Sequence, residues 1–249
     1  MKESLIMMGM PITIEIVDAD ARASSIRKVI SYFHYVDEKF STYKTTSEIS
    51  KINRGEIAEA DYSDDMRQVF LLSDQTREET GGYFDIRTAQ KGYDPSGLVK
   101  GWAIWNAAQI LKKDGCANFY VDVGGDIQVF GKNKDILPWS IGIRNPFDRS
   151  QIVKTVRLGK NEGIATSGTY VRGEHIYDPL HQHAPANAIM SLTVIGKNIY
   201  EADRFATAAF AMGEQGIFFI ERLKGFEGYM IDKNGIGTET SGFRRFIAS

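Results

Sequence analysis

A change of hydrophobic period near the start of the chain limits its possible folds more than any other feature. Ile12, Ile14 and Ile16 alternate with Thr13 and Glu15, the period of a strand with one buried face. Directly afterwards Ile26, Val29, Ile30, Phe33 and Val36 recur at three and four, which predicts an amphipathic helix from Asp20 to Phe40 with Asp20 as its cap. Further helices are expected over Met66 to Thr80, stopped by Gly81-Gly82, and over Leu98 to Lys112, stopped by Gly115. Strands are expected at Phe119–Val123, Ile127–Phe130, Trp139–Ile143, Ile152–Leu158 and Ile189–Ile195, separated by glycine, proline and asparagine turns. Helices over Ala202–Met212 and Gly216–Leu223 and strands at Gly228–Ile231 and Phe243–Ile247 complete the reading. Helices and strands mix without regular βαβ alternation, so the expected class is α+β. No repeat and no linker rich in Pro, Gly or Ser divides the chain, so residues 1–249 are expected to form one domain.

With 249 residues, 43% of them hydrophobic, the chain can bury a substantial core. Lys+Arg 30 against Asp+Glu 32 leaves a net charge of -2 and no basic block, which argues against nucleic acid as a partner. Cys116 is the only cysteine, so neither an internal disulfide nor a thiolate metal cage can form within one chain. No apolar run approaches the roughly 20 residues that span a bilayer. The opening MKESLIMMGM lacks a signal-peptide core, and the expectation as written is a cytoplasmic protein; an exported lipoprotein that has lost its leader is the alternative.

Four segments can carry chemistry. In EADRFATAAF, Asp203 and Thr207 are four apart, so on a helix both oxygens leave from one face. A carboxylate with a hydroxyl suits Mg²⁺ or Ca²⁺, although an N-terminal Asp and a back-bonding Thr also serve a helix with no ligand. DPSGLVKG, Asp94 to Gly101, stands where a loop enters a helix, so unpaired N–H groups and Lys100 can receive phosphate. It has neither P-loop nor GxGxxG spacing, and an Asp-Pro turn before a core helix accounts for it equally. In VDVGGDIQVFG, Gly124 and Gly125 either form a bulge or admit a ligand to the backbone. IATSGTYVRGEHIYDP holds His175, the histidine best placed as a base, while His181 and His183 in LHQHAP read as loop residues.

Taken together, nine segments in order between Met8 and Gly213 resemble the ApbE family of FAD:protein FMN transferases: MGM, FSTYKTTSEISKIN, GGYFDI, DPSGLVKGWA, VDVGGDI, WSIGIRNP, ATSGTYVR, HIYDP and ADRFATAAFAMG. The resemblance implies an α+β fold of two similar mixed subdomains enclosing one FAD, with Mg²⁺ beside the pyrophosphate. It places the metal on Asp203, Thr207 and the Gly97 carbonyl. It places the cofactor against Met8, Tyr43, Tyr83, Phe84, Asp85, Asp94, Lys100 and His175, with His175 also the catalytic base. Three departures stand out: Pro95 and Ser96 where the family more often reads DLGGIAKG, MGM for MGT, and FDI for FDP.

The implied reaction is attack of a Thr or Ser hydroxyl of an acceptor flavoprotein on the FMN phosphorus, with AMP leaving. Mg²⁺ and Lys100 would offset the anionic charge, and His175 would take the hydroxyl proton. Two rivals use the same residues: an FAD pyrophosphatase with water as acceptor, and a flavin-binding protein without turnover.

Overall fold

The computed structural model describes residues 1–88, 92–168 and 189–248. The chain opens with a hairpin, β1 (Lys2–Met7) and β2 (Met10–Ile16), paired antiparallel from Met7↔Met10 to Lys2↔Glu15. Met8 and Gly9 turn it with both φ positive, 55° and 71°, the type I′ geometry that matches the twist of the strands. The first strand was not expected, but in β2 the alternation holds: Ile12, Ile14 and Ile16 are fully buried.

Helix α1 (Ala23–Phe40) buries Ile26, Val29, Phe33, Val36 and Phe40. Asp20 does not cap it: the N-cap is Arg22, without a side-chain bond. Nearby, Asp18 instead accepts from the Ala117 and Asn118 N–H groups, tying the end of β2 to the residues just before Phe119. A short helix α2 (Glu48–Asn53), absent from the sequence reading, is capped by Ser47. Helix α3 (Asp64–Glu79), capped by Ser63, ends at Gly81 and Gly82 with φ of 62° and 89°, as its sequence predicts. A two-residue pair, β3 (Arg87–Thr88) and β4 (Gly92–Tyr93), leads into α4 (Ser96–Lys113).

The remaining strands are β5 (Phe119–Val123), β6 (Asp126–Phe130), β7 (Trp139–Arg144), β8 (Ile152–Leu158), β9 (Gly163–Gly168), β10 (Ile189–Gly196), β11 (Glu227–Asp232) and β12 (Gly237–Glu239). Helices α5 (Ile199–Ala211) and α6 (Gln215–Arg222) stand between β10 and β11. Eight strands join in one sheet of order β1-β2-β5-β6-β9-β10-β11-β12, every described neighbour antiparallel, so the expected α+β class is what forms. The helices pack one face through Phe33, Leu98, Ile104 and Phe210. The other face is covered by the β7–β8 hairpin and the turn at Phe243–Phe246, with Val129, Trp139, Val156 and Tyr229 in the contact layer. Phe243–Ile247 was expected to be a strand; Phe243–Phe246 is a 3₁₀ turn, and only Ile247 makes a bridge, to Val156. Phe243 and Phe246 are three apart, so a single turn buries both rings while Arg244 and Arg245 stay outside.

Gly124 and Gly125 form no bulge, and both line an open cavity of about 520 Å³. With φ of 65° and 100° they make the two-residue turn between β5 and β6, where Val123 faces Asp126.

Candidate functional site

The site grows from the contact between α4 and α5. Asn198 caps α5 by accepting the Glu201 N–H at 2.9 Å, and Gln128, fully buried on β6, accepts the N–H of Ile199 at 2.8 Å. Gln128 also donates to the carbonyls of Val129 and Glu162, so both its amide hydrogens are engaged. The start of α5 is thereby held against the sheet. Gln128→Leu leaves that buried N–H without its acceptor and is expected to cost about 1–3 kcal/mol in urea unfolding.

Two glycines let α5 pack closely, Gly101 against α4 and Gly163 against β9. A Cβ on Gly101 would lie 2.6 Å from Asp203 Cβ, and one on Gly163 would lie 2.1 Å from the Ile199 nitrogen. Gly101 N–H donates to Asp203 Oδ2 at 2.8 Å, although its usual acceptor in a helix is the carbonyl four residues back, that of Gly97. One turn along α5, Thr207 Oγ1 lies 3.5 Å from that Gly97 oxygen. The carboxylate, hydroxyl and carbonyl that the family resemblance assigns to a metal thus all stand at the contact between α4 and α5.

Asp203 is 1% exposed. Burial pushes its carboxyl up to about 7; Lys100 and the Gly101 N–H pull the other way, and the charge of Asp126 adds to the rise. Lys100 ion-pairs with Asp126 Oδ2 and lies 3.3 Å from Asp203 Oδ1. Asp126, 3% exposed, is held by the Thr166 N–H on its other oxygen at 2.9 Å. Sequence reasoning quoted the VDVGGDI segment for its glycines and missed this aspartate; the available signal was a carboxylate opening a strand whose other residues carry no charge. It also missed Arg204, 4% exposed, which bonds Thr76 at 3.2 Å, pairs with Glu79 and Glu201 and so joins α5 to α3.

Hard oxygen donors suit Mg²⁺, whose neighbouring ligands at about 2.0–2.1 Å lie roughly 3 Å apart, a little under the Thr207–Gly97 spacing. Among the described residues no group of three His, Cys, Asp or Glu could hold a metal, so any cation here depends on the hydroxyl and carbonyl as well as Asp203.

Two cavities flank the Lys100–Asp126 pair. On one side a cleft of about 80 Å³ is lined by Met8, Tyr43, Ser96, Val99 and Lys100, so three of the predicted cofactor residues share one wall. Tyr43 is 94% exposed at its mouth, while Met8 packs on the main core. On the other side a cavity of about 520 Å³ is lined by Thr13, Asp122, Asp126, Arg144, Arg149 and Thr166 among others. Burial pushes the Asp122 carboxyl up, against the pull of the Gly125 N–H.

The other predicted residues divide. Phe84 is buried, its ring edge 3.3 Å from where a Cβ on Gly97 would sit, and Tyr83 packs beside the core. Asp85 is already engaged, by Arg77 at 3.0 Å and the Arg87 N–H at 2.9 Å. Asp94 accepts from the Ser96 N–H at 3.1 Å and so secures the entry to α4, whose N-cap is Pro95. His175, His181 and His183 lie outside the described residues. Among the described residues no helix is long and apolar enough to cross a membrane.

The model of the ApbE family matches residues 8–91 and 87–230. An FAD:protein FMN transferase of Vibrio cholerae is 32% identical over 166 residues, 62% of this chain and 50% of that protein. One of Salmonella typhimurium is 30% identical over 167 residues, 63% of this chain and 48% of that protein. The chain thus spans about half the length of these curated relatives. The solved flavin transferase ApbE from Vibrio cholerae shares the fold with a TM-score of 0.85 at 24% identity, covering 99% of each chain. The apbe protein of Thermotoga maritima gives 0.89 at 20% identity, covering 100% of this chain and 99% of that one.

Proposed function

From the premise that the chain belongs to the ApbE family, we propose that it is an FAD:protein FMN transferase, dependent on Mg²⁺ and acting on a Thr or Ser hydroxyl of an acceptor flavoprotein. The observation that carries this reading is the convergence of Asp203, Thr207 and the Gly97 carbonyl beside Lys100 at the start of α4. The acceptor oxygen forms a bond to the FMN phosphorus as the diphosphate bond to AMP breaks, and the hydroxyl proton passes to a base. A bound Mg²⁺ would supply charge neutralisation at the diphosphate oxygens. Asp203, Thr207 and Gly97 would hold it. Lys100, at the cleft wall and one turn into α4, adds positive charge near the helix start where a phosphate would sit. Met8 and Tyr43 line the same cleft and offer apolar and aromatic surface to the flavin. The base is assigned to His175 on the family resemblance alone.

The test is incubation with FAD, Mg²⁺ and a flavin-acceptor domain, reading acceptor mass and AMP. An acceptor heavier by one FMN residue, with one AMP released per modification, is the expected result. AMP without a modified acceptor would instead make water the acceptor and the protein an FAD pyrophosphatase. FAD binding with neither product would leave a flavin-binding protein.

A further inference from the structure

Two buried carboxylates share one ammonium in this site, and their surroundings are alike. Each has one oxygen fixed by a backbone N–H, Asp126 by Thr166 and Asp203 by Gly101, at 2.9 and 2.8 Å. Each turns its other oxygen to Lys100 Nζ, with the contact to Asp126 the closer. The carboxylates are anchored, whereas the lysine has a flexible stem and a side chain 22% exposed. The mobile partner of the three is the ammonium. Counting charges, Asp126, Asp203 and Lys100 sum to -1, which a divalent ion turns to +1, facing an anionic diphosphate. Without Asp126, Lys100 and Asp203 would neutralise each other, and an incoming cation would have to break that pair.

We propose that Asp126 is a positioning residue for the metal: it draws the Lys100 ammonium off Asp203, so that the Asp203 carboxylate is free to receive a divalent cation. This rests on the metal reading above and acts through Lys100, since Asp126 is assigned no contact with the cation. Asp126→Asn keeps an oxygen for the Thr166 N–H but removes the charge that holds the lysine. Lys100 then loses the closer of its two carboxylates, while the one on Asp203 remains.

The experiment is a Mn²⁺ titration of the full chain, without FAD, by calorimetry or electron paramagnetic resonance, with thermal unfolding of every variant alongside. Asp126→Asn is expected to weaken Mn²⁺ binding by roughly 10-fold or more, the range found for residues that support metal ligands. Lys100→Met is expected to tighten it. In the double variant the effect of Asp126→Asn is expected to vanish, because there is no longer a lysine to restrain. An equal weakening with and without Lys100 would mean that Asp126 acts only through its bulk charge, and would overturn the proposal, as would no weakening at all. Should Asp126→Asn fail to fold, Lys100→Met decides alone: weaker Mn²⁺ binding in that variant refutes the proposal. Asp203→Asn separates the two levels, because Mn²⁺ binding that survives it would remove the metal reading itself.

Discussion

On the function proposed above, Asp203→Asn is expected to leave a folded protein that shows neither a metal response nor flavin transfer. The parent chain should gain about 2.7 kcal/mol from a divalent ion at 100 times its Kd. At about 2–4 °C per kcal/mol for a chain of this size, that is roughly 5–10 °C in Tm, and the variant should show none of it. Transfer should fall roughly a thousandfold, since on that reading several kcal/mol of charge stabilisation would depend on the ion and each 1.36 kcal/mol is tenfold. The same variant should be the more stable of the two when metal is stripped. Burial raises the Asp203 carboxyl to about 7, so the folded chain binds this proton more tightly than the unfolded one. The sign follows from proton linkage: this group's contribution is fully present below its ordinary value near ~4 and is lost as pH rises through the raised value. At pH 8 the metal-free parent carries a buried, disfavoured charge that Asn does not. Thermal unfolding in chelator at pH 5 and pH 8 checks this, and a parent that equals or exceeds the variant at pH 8 would contradict it.

Gly101→Ala is expected to reverse the usual effect of that exchange. Inside an exposed helix, Gly to Ala gains about 1 kcal/mol. Here the new Cβ would lie 2.6 Å from Asp203 Cβ and 2.9 Å from the Ile199 carbonyl oxygen. A backbone carbonyl cannot swing away, so α4 and α5 must separate. Overpacking of this kind costs about 1–3 kcal/mol, read as a lower urea midpoint at unchanged slope. The separation also stretches the Gly101 N–H bond to Asp203 and the approach of Thr207 to Gly97, so Mn²⁺ affinity should fall with stability. A stabilised variant with parental Mn²⁺ binding would show that the helices do not need this contact.

The parts of the site that were legible in the sequence are those set by local spacing. Asp203 and Thr207 share a face because a helix repeats near four, whereas Lys100, expected in the first turn of a helix from Leu98, stands in the second turn because α4 begins at Ser96. The apolar alternation of β2 and the paired glycines after α3 gave strand and stop correctly. What remained hidden depends on pairing across the sheet. Asp126 meets Lys100 only because β6 lies against β9 and under α4, and no local pattern encodes that. Arg204 reads as an exposed charge until α3 is placed beside α5. Phe243–Ile247 reads as a strand because its aromatic and aliphatic residues dominate, yet a spacing of three seats both rings better in a turn.

The bond from Gly101 to Asp203 closes a span of 102 residues. Ordering so long a loop is entropically costly, and contacts of this range are made late in the collapse of an antiparallel chain. A cation that needs residues from both ends of that span has nothing to grip while the chain is still forming. Its binding energy is then absent from the barrier to folding and is felt only by a molecule trying to leave the native state. The ion would act as a latch on a finished structure, lengthening the lifetime of the folded protein without hastening its arrival.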